Sequence, residues 1–278
     1  MDFNAVAGAL GAEVSGIDLR AKLSKEQTAK LQQGFLDHHV LFFRDQQLTP
    51  SQQVSFTRVF GEPDIYPFIA GMPDTPEVIE IIKEESDTVN FGGSWHSDTS
   101  YLPEPALGTV LYALDVPDAG GDTQFANTAA AYDALSDGMR AMLSGLVGVN
   151  SSENGYGGSR ARAMGRLGAM KTAYNDDSQS YESEHPIVRT HPQTGRKSLY
   201  IGRGHTARFK AMTAEESKPL IDFLTKHIAE PEFTCRFRWA PGSIAVWDNR
   251  STQHYALNDY TGKRRHMRRV TIKGDKPF

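Results

Sequence analysis

The stretch Ser94-Trp95-His96-Ser97-Asp98, read with Asp248-Asn249-Arg250-Ser251-Thr252-Gln253-His254, decides how this chain must fold. Two imidazoles and one carboxylate occupy one triangular face of an octahedral metal and leave three positions open, the donor set of mononuclear non-haem iron sites. His96 and Asp98 lie two apart. On a β-strand such residues point to the same side, so both reach one ion. His254 comes from far downstream, so a second strand must be folded beside the first. His-x-Asp alone occurs often by chance; the sequence after His254 gives it weight.

Eleven residues beyond His254 lies Arg265, in Gly262-Lys263-Arg264-Arg265-His266-Met267-Arg268-Arg269-Val270-Thr271-Ile272. This run reads as a strand. One face carries Arg265, Met267, Arg269 and Thr271, the other Arg264, His266, Arg268 and Val270. Arginine suits a bidentate grip on a carboxylate. Arg265 and Arg269 are roughly 13 Å apart along a strand, so they suit two anionic groups at two depths of one cavity. Arg264 and Arg268 are expected on the outer face, paired with carboxylates.

The chain has 278 residues, 39% hydrophobic and 23% charged, with a net charge of -4. That length supports one substantial core and one domain spanning 1–278. Nothing in the charge points to nucleic acid or a membrane surface. A single cysteine, Cys235, excludes an internal disulfide and fits a reducing compartment. No basic region followed by an apolar run opens the sequence, and no stretch approaches the ~18 apolar residues of a membrane span. The expectation is a soluble, cytoplasmic protein.

Residues 1–45 read as strand, helix, strand. Ser24 with Gln27 forms a capping box. Thr49 caps a second helix, with Pro50 at its first position and Gly61 after its end. Residues 77–82 and 107–116 are strand candidates. Thr128–Gly145 is helical with an interruption near Ser136. Thr213 and Glu216 open a helix to about Ile228, with Leu220, Phe223, Leu224 and Ile228 as its apolar face. Short strands dominate from Phe233 onward. Many short strands with a few peripheral helices predict a mainly β fold, a sandwich or jelly roll. Asn150–Pro186 stands apart. It is rich in Gly, Ser, Asn and Asp, and from Gly155 to Lys171 it carries Arg160, Arg162, Arg166 and Lys171 and no acid. Its length marks it as a candidate lid.

The chain resembles the iron- and 2-oxoglutarate-dependent dioxygenases related to taurine dioxygenase and 2,4-dichlorophenoxyacetate dioxygenase. The resemblance runs through Gly8-Ala9-Leu10-Gly11-Ala12-Glu13-Val14, Trp95-His96-Ser97-Asp98-Thr99-Ser100-Tyr101, Gly120-Gly121-Asp122-Thr123 and Val188-Arg189-Thr190-His191-Pro192. It ends in Trp247–Ala256 and the arginine strand. It implies a double-stranded β-helix (jelly roll) with Fe(II) on His96, Asp98 and His254 as the catalytic centre. It implies 2-oxoglutarate and O₂ as co-substrates, with Arg265 and Thr123 on the far carboxylate of 2-oxoglutarate. Oxidative decarboxylation to succinate and CO₂ would be coupled to hydroxylation, and then to C–X cleavage where the hydroxylated carbon bears a heteroatom. Asp98 argues against a halogenase, in which that position is small.

By the same resemblance Arg269 contacts the acidic group of the main substrate, and Tyr66, Gly92, Thr99 and His205 line its pocket. Tyr66 replaces a sulfonate-contacting histidine of taurine dioxygenase, Gly92 an asparagine, and His205 a phenylalanine. These changes favour a small anionic organic substrate bulkier than taurine. The other partner expected is a further copy of the chain, in a dimer or tetramer. Trp95 and Trp247 read chiefly as core. His38, His39, His185, His191, His227 and His266 read as surface or structural. Two alternatives stay open: a cupin-like metalloenzyme that does not use 2-oxoglutarate, and a non-catalytic small-acid binding protein.

Overall fold

The computed structural model describes residues 1–154 and 180–278. In chain order the elements are β1 (Asp2–Ala5), β2 (Ala12–Ser15), α1 (Lys25–His38), β3 (Val40–Phe43), α2 (Pro50–Thr57), β4 (Pro63–Asp64), β5 (Val78–Lys83), β6 (Gly108–Asp115), β7 (Thr123–Asn127), α3 (Thr128–Asp133), α4 (Asp137–Leu143) and β8 (Val147–Ser151). They continue with β9 (Glu182–Pro186), β10 (Val188–Thr190), β11 (Lys197–Leu199), β12 (Thr206–Phe209), α5 (Ala214–Ile228), β13 (Thr234–Phe237), β14 (Ile244–Asp248), β15 (Thr252–Ala256) and β16 (Arg265–Ile272).

Alternation along the strands splits the apolar residues between two layers. The large sheet runs β1-β2-β3-β14-β6-β16-β4, with β5 also paired to β16. Leu41, Phe43, Val110, Tyr112, Ile244, Val246 and Ile272 face outward against Leu31 and Phe35 of α1 and Phe56 of α2. Their neighbours Val40, Phe42, Leu111, Ala113, Ala245, Trp247 and Met267 face inward. There they meet Phe125 of β7 with Cys235 and Phe237 of β13. Those last two strands belong to the facing sheet β13-β7-β15. Phe42 and Phe237 stack across the layers at 4.1 Å between ring centroids. Burying each such ring contributes ~1.5–3 kcal/mol. This two-layer arrangement is the expected jelly roll.

Local signals survive well. Ser24 and Gln27, Thr49 and Gln52, and Thr213 and Glu216 all close capping boxes. Ser136 is the N-cap that separates α3 from α4. Four expectations need correction. The first 45 residues hold an additional strand, because β1 and β2 form an antiparallel hairpin before α1. The buried face of α5 is Ser217, Ile221, Leu224, Thr225 and Ile228; Phe223 is 47% exposed, stacked on His227. The flanks of the candidate lid are strands, since Asn150 pairs with Ser183 and Ser151 with Glu182 in the β8–β9 ladder. The lid's basic stretch, Arg160, Arg162, Arg166 and Lys171, lies outside the described residues. The fourth correction concerns Arg268. It is buried, donates to the Leu48 carbonyl and lies 4.9 Å over the Tyr112 ring, because α2 covers this face. Arg264 is on the outer face as expected, donating to Glu84 and Asp115.

Candidate active site

β16 carries the two arginines on the face it shares with Met267, so both point between the sheets. Arg265 and Arg269 are 7% and 3% exposed. β15 carries His254 beside β7, at the register of Phe125. His96 does not lie on a strand of its own. It forms an isolated antiparallel bridge with His254, with His96 N–H on His254 O at 3.2 Å and His254 N–H on His96 O at 2.9 Å. The chain then turns, with Thr99 in the left-handed region at φ 50°. The strand expected for His-x-Asp is thus replaced by one bridge and a turn, and tertiary pairing rather than local alternation aims the two side chains together.

The donor atoms of His96, Asp98 and His254 all lie within 4.8 Å of one another. Asp98 Oδ1 is 3.8 Å from His96 Nε2 and 3.7 Å from His254 Nε2, too long for hydrogen bonds. His96 Nδ1 meets the Ser94 carbonyl at 2.6 Å, which presents Nε2 to the centre. Asp98 Oδ2 accepts from Thr109 Oγ1 at 2.9 Å and Asn249 Nδ2 at 3.1 Å, so Oδ1 is left facing the two imidazoles. Asn249 Oδ1 in turn accepts the Asp98 amide and Trp247 Nε1. Trp247 lies in the core and also flanks the centre, its ring 4.6 Å from that of His254.

The electrostatics suit a divalent ion. Burial raises the Asp98 carboxyl, but the Arg269 guanidinium and the two imidazoles outweigh it and hold the carboxyl well below the usual carboxylate range. Burial, with His96 beside it, drives His254 well below the ordinary histidine value despite Asp98. An ionised carboxylate and a neutral imidazole are the forms that bind metal. The residues present therefore fit a metal ion held by His96, Asp98 and His254.

At the other end of β16, Arg265 Nε and Nη2 have no hydrogen-bond partner among the described residues. These two nitrogens form one edge of the guanidinium, the edge that grips a carboxylate side-on. Arg265 lies 5.8 Å over the Trp239 ring, and Trp239 Nε1 donates to Thr123 Oγ1 at 3.0 Å. A hydroxyl that accepts one bond still has its proton to donate, so Thr123 suits an anion. Gly121 has φ 72° and lies against this arginine; a Cβ there would sit 3.5 Å from Arg265 Cδ.

Arg269 reaches the triad itself. Its Nη2 is 2.9 Å from Asp98 Oδ1 and donates to Thr109 Oγ1 at 3.2 Å, while Nε has no hydrogen-bond partner among the described residues. Its guanidinium lies 5.2 Å over the Tyr66 ring. His205 packs edge-on to His96 at 5.7 Å and shares a hydrogen bond with Ser100 at 2.8 Å. Gly92 borders the centre, where a Cβ would meet His96 Cε1 at 3.3 Å. Thr99 is placed differently: its Oγ1 accepts the Ala106 amide at 2.9 Å and braces the turn after Asp98. Sequence reasoning assigned no role to Asn249, Thr109 or Trp239. Asn249 stood in a quoted motif, but its partner Asp98 is 151 residues away.

The other histidines are structural or peripheral, as expected. His39 meets Ser251 Oγ at 2.8 Å, His191 meets Asp248 at 3.0 Å, and His266 meets Glu80 at 2.9 Å. No helix among the described residues is long and apolar enough to cross a membrane.

Residues 2–271 match the family described as Taurine catabolism dioxygenase TauD, TfdA family. The chain is 36% identical over 272 residues to an alkylsulfatase of Acinetobacter baylyi, covering 97% of this chain and 84% of that one. It is 34% identical to an alpha-ketoglutarate-dependent sulfate ester dioxygenase of Pseudomonas putida, covering 100% and 91%. A crystal structure of a taurine dioxygenase from Burkholderia xenovorans superposes with a TM-score of 0.83 at 33% identity, covering 99% and 92%. With a family match across nearly its whole length and the triad in place, the chain belongs to the TauD/TfdA family of dioxygenases.

Proposed function

We propose that this dioxygenase couples oxidative decarboxylation of 2-oxoglutarate to hydroxylation of a small anionic organic substrate, with alkyl sulfate esters as the substrate class. The observation that carries the reaction class is the buried, unpartnered edge of Arg265 on the strand whose other arginine touches the triad. A cupin-like metalloenzyme that ignores 2-oxoglutarate has no use for such a group. A silent binding protein has no reason to keep all three ligand atoms converged.

His96, Asp98 and His254 would hold Fe(II), which with 2-oxoglutarate and O₂ would supply oxygen insertion into a C–H bond coupled to decarboxylation of 2-oxoglutarate to succinate and CO₂. The chain's residues hold and orient. Arg265 and Thr123 take the far carboxylate of 2-oxoglutarate. Arg269 takes the substrate's anionic end and keeps Asp98 ionised. Tyr66, Gly92 and His205 line the space between, with Gly92 at a close approach to His96 that a Cβ would crowd.

The two relatives named for sulfate ester chemistry support the substrate class. Hydroxylation of the carbon next to the ester oxygen gives R–CH(OH)–O–SO₃⁻. Its C–O bond breaks to R–CHO and hydrogen sulfate, with the hydroxyl proton leaving with the sulfate. A carboxylate substrate bulkier than taurine is the second reading, favoured by Gly92 standing where taurine dioxygenase has an asparagine. A panel of alkyl sulfates, sulfonates and aryloxy acids with iron and 2-oxoglutarate decides between them. The expected result is succinate, aldehyde and sulfate in equal amounts from an alkyl sulfate. Succinate from an organic acid alone would move the assignment to carboxylates. No substrate-dependent succinate from any compound would overturn the reaction class.

A further inference from the structure

Directly across from Arg265 in the β5–β16 ladder stands Lys83. Partners in register project to the same face, so the two cations point into the same space. Lys83 is 5% exposed, and its Nζ has no hydrogen-bond partner among the described residues. It sits 4.4 Å over the Tyr260 ring, and Lys83, Tyr260, Asn90, Phe91 and Arg265 line one small cavity.

The acids at this end are engaged elsewhere. Asp122 accepts from Arg236 at 2.6 Å, Asp259 accepts the Gly121 amide at 2.7 Å, and Glu84 accepts from Arg264 at 3.2 Å. Among the described residues, two buried cations therefore face one cavity with no carboxylate paired to Lys83 Nζ or to the open edge of Arg265. Burying one unpaired charge is costly, and two facing each other are more so. An aromatic face offsets only a fraction of that cost. Tyr260 is thus a resting place for Lys83 rather than its counter-ion. A carboxylate has lone pairs enough for both, with the arginine edge taking one site on each oxygen and the ammonium a remaining one.

We infer that Lys83 is a second cation for the far carboxylate of the co-substrate and sets the preference for a dicarboxylic over a monocarboxylic 2-oxo acid. This rests on the reading of Arg265 given above. Lys83 is a specificity-determining residue at the end of the site remote from the reacting carbon.

The test is calorimetric binding of 2-oxoglutarate and of 2-oxobutyrate to the Fe(II)-loaded full chain without oxygen, in the parent, Lys83→Met, Lys83→Arg and Arg265→Met proteins. Lys83→Met should weaken 2-oxoglutarate by roughly tenfold or more, with 2-oxobutyrate within about twofold of the parent. Lys83→Arg should restore most of the loss. Without metal or co-substrate, Lys83→Met should also melt higher than the parent, because an unpaired buried charge is gone. A lysine that merely braces Tyr260 would give lower melting and unchanged 2-oxoglutarate binding, and that result overturns the inference. Equal loss for both acids overturns it too. If Arg265→Met weakens 2-oxoglutarate and Lys83→Met does not, only Lys83 is misassigned. If neither variant weakens it, the reading of Arg265 fails as well.

Discussion

Two buried aspartates, Asp98 and Asp248, sit among histidines and an arginine within one molecule, yet they are built oppositely. Asp248 is saturated. Arg250 donates Nε and its own amide to Oδ1 at 2.8 and 3.0 Å and Nη2 to Oδ2 at 2.6 Å, and His191 completes Oδ2 at 3.0 Å. Asp98 has two hydrogen bonds on Oδ2, and its Oδ1 is ion-paired with Arg269 Nη2 at 2.9 Å while facing two imidazole nitrogens too distant to bond to it. The closed cluster is a fastening. The open one brings donor atoms together that fit an ion. Burial and residue type alike fail to tell them apart; satisfaction of the hydrogen-bonding atoms does.

The sharpest break between the clusters should come from their histidines. His254→Ala is expected to lower turnover by ~10³-fold or more and to abolish tight metal binding, with a folded protein remaining. Steady-state succinate assays and metal titration check this. His191→Ala should instead leave metal binding intact.

Asp248→Ala should act on stability rather than on metal. It leaves Arg250 buried without its carboxylate, which costs ~3–5 kcal/mol. Thermal melting should fall by about 10 °C. Retention of the parental melting point would show that the closed cluster is not a fastening.

The third effect is one of pH. Burial holds His39 down at about 4, against an ordinary value of 6.5, even though Asp248 pulls it upward. A histidine with a depressed folded value contributes stability that is full above 6.5 and lost as pH falls from there to 4. That loss amounts to about 3 kcal/mol. Urea unfolding across this range should show the decline, and His39→Gln should flatten it.

At the open end, Arg265→Ala should raise the 2-oxoglutarate requirement by roughly 30-fold, about 2 kcal/mol, and Arg265→Lys should recover only part of it. The smallest effect belongs to neither cluster. Phe223→Ser, on the exposed flank of α5, should change stability by no more than about 0.5 kcal/mol in urea unfolding.

Features set by neighbours in sequence were legible before the structure. The capping boxes at Ser24 and Thr213, the cap at Thr49, the break at Ser136 and the two faces of β16 depend on residues a few positions apart. The triad was legible because its residue types are rare in combination. Long-range partners were not. Asn249 finds Asp98 across 151 residues, and Arg268 is buried because α2 happens to cover it. The buried face of α5 was misplaced because Phe223 is apolar but packs on His227 at the rim. Lys83 drew no notice, since only the β5–β16 register sets it opposite Arg265.

The paired backbone bonds between His96 and His254 carry a consequence for how an ion arrives. The loop holding one ligand and the strand holding the other are tied to each other by main-chain bonds that involve no ion. Loading therefore requires little ordering of the chain, and the entropy of bringing distant segments together is already lost in folding. The protein should accordingly fold without its ion and bind it with little ordering cost, behaving as a socket rather than as a clasp.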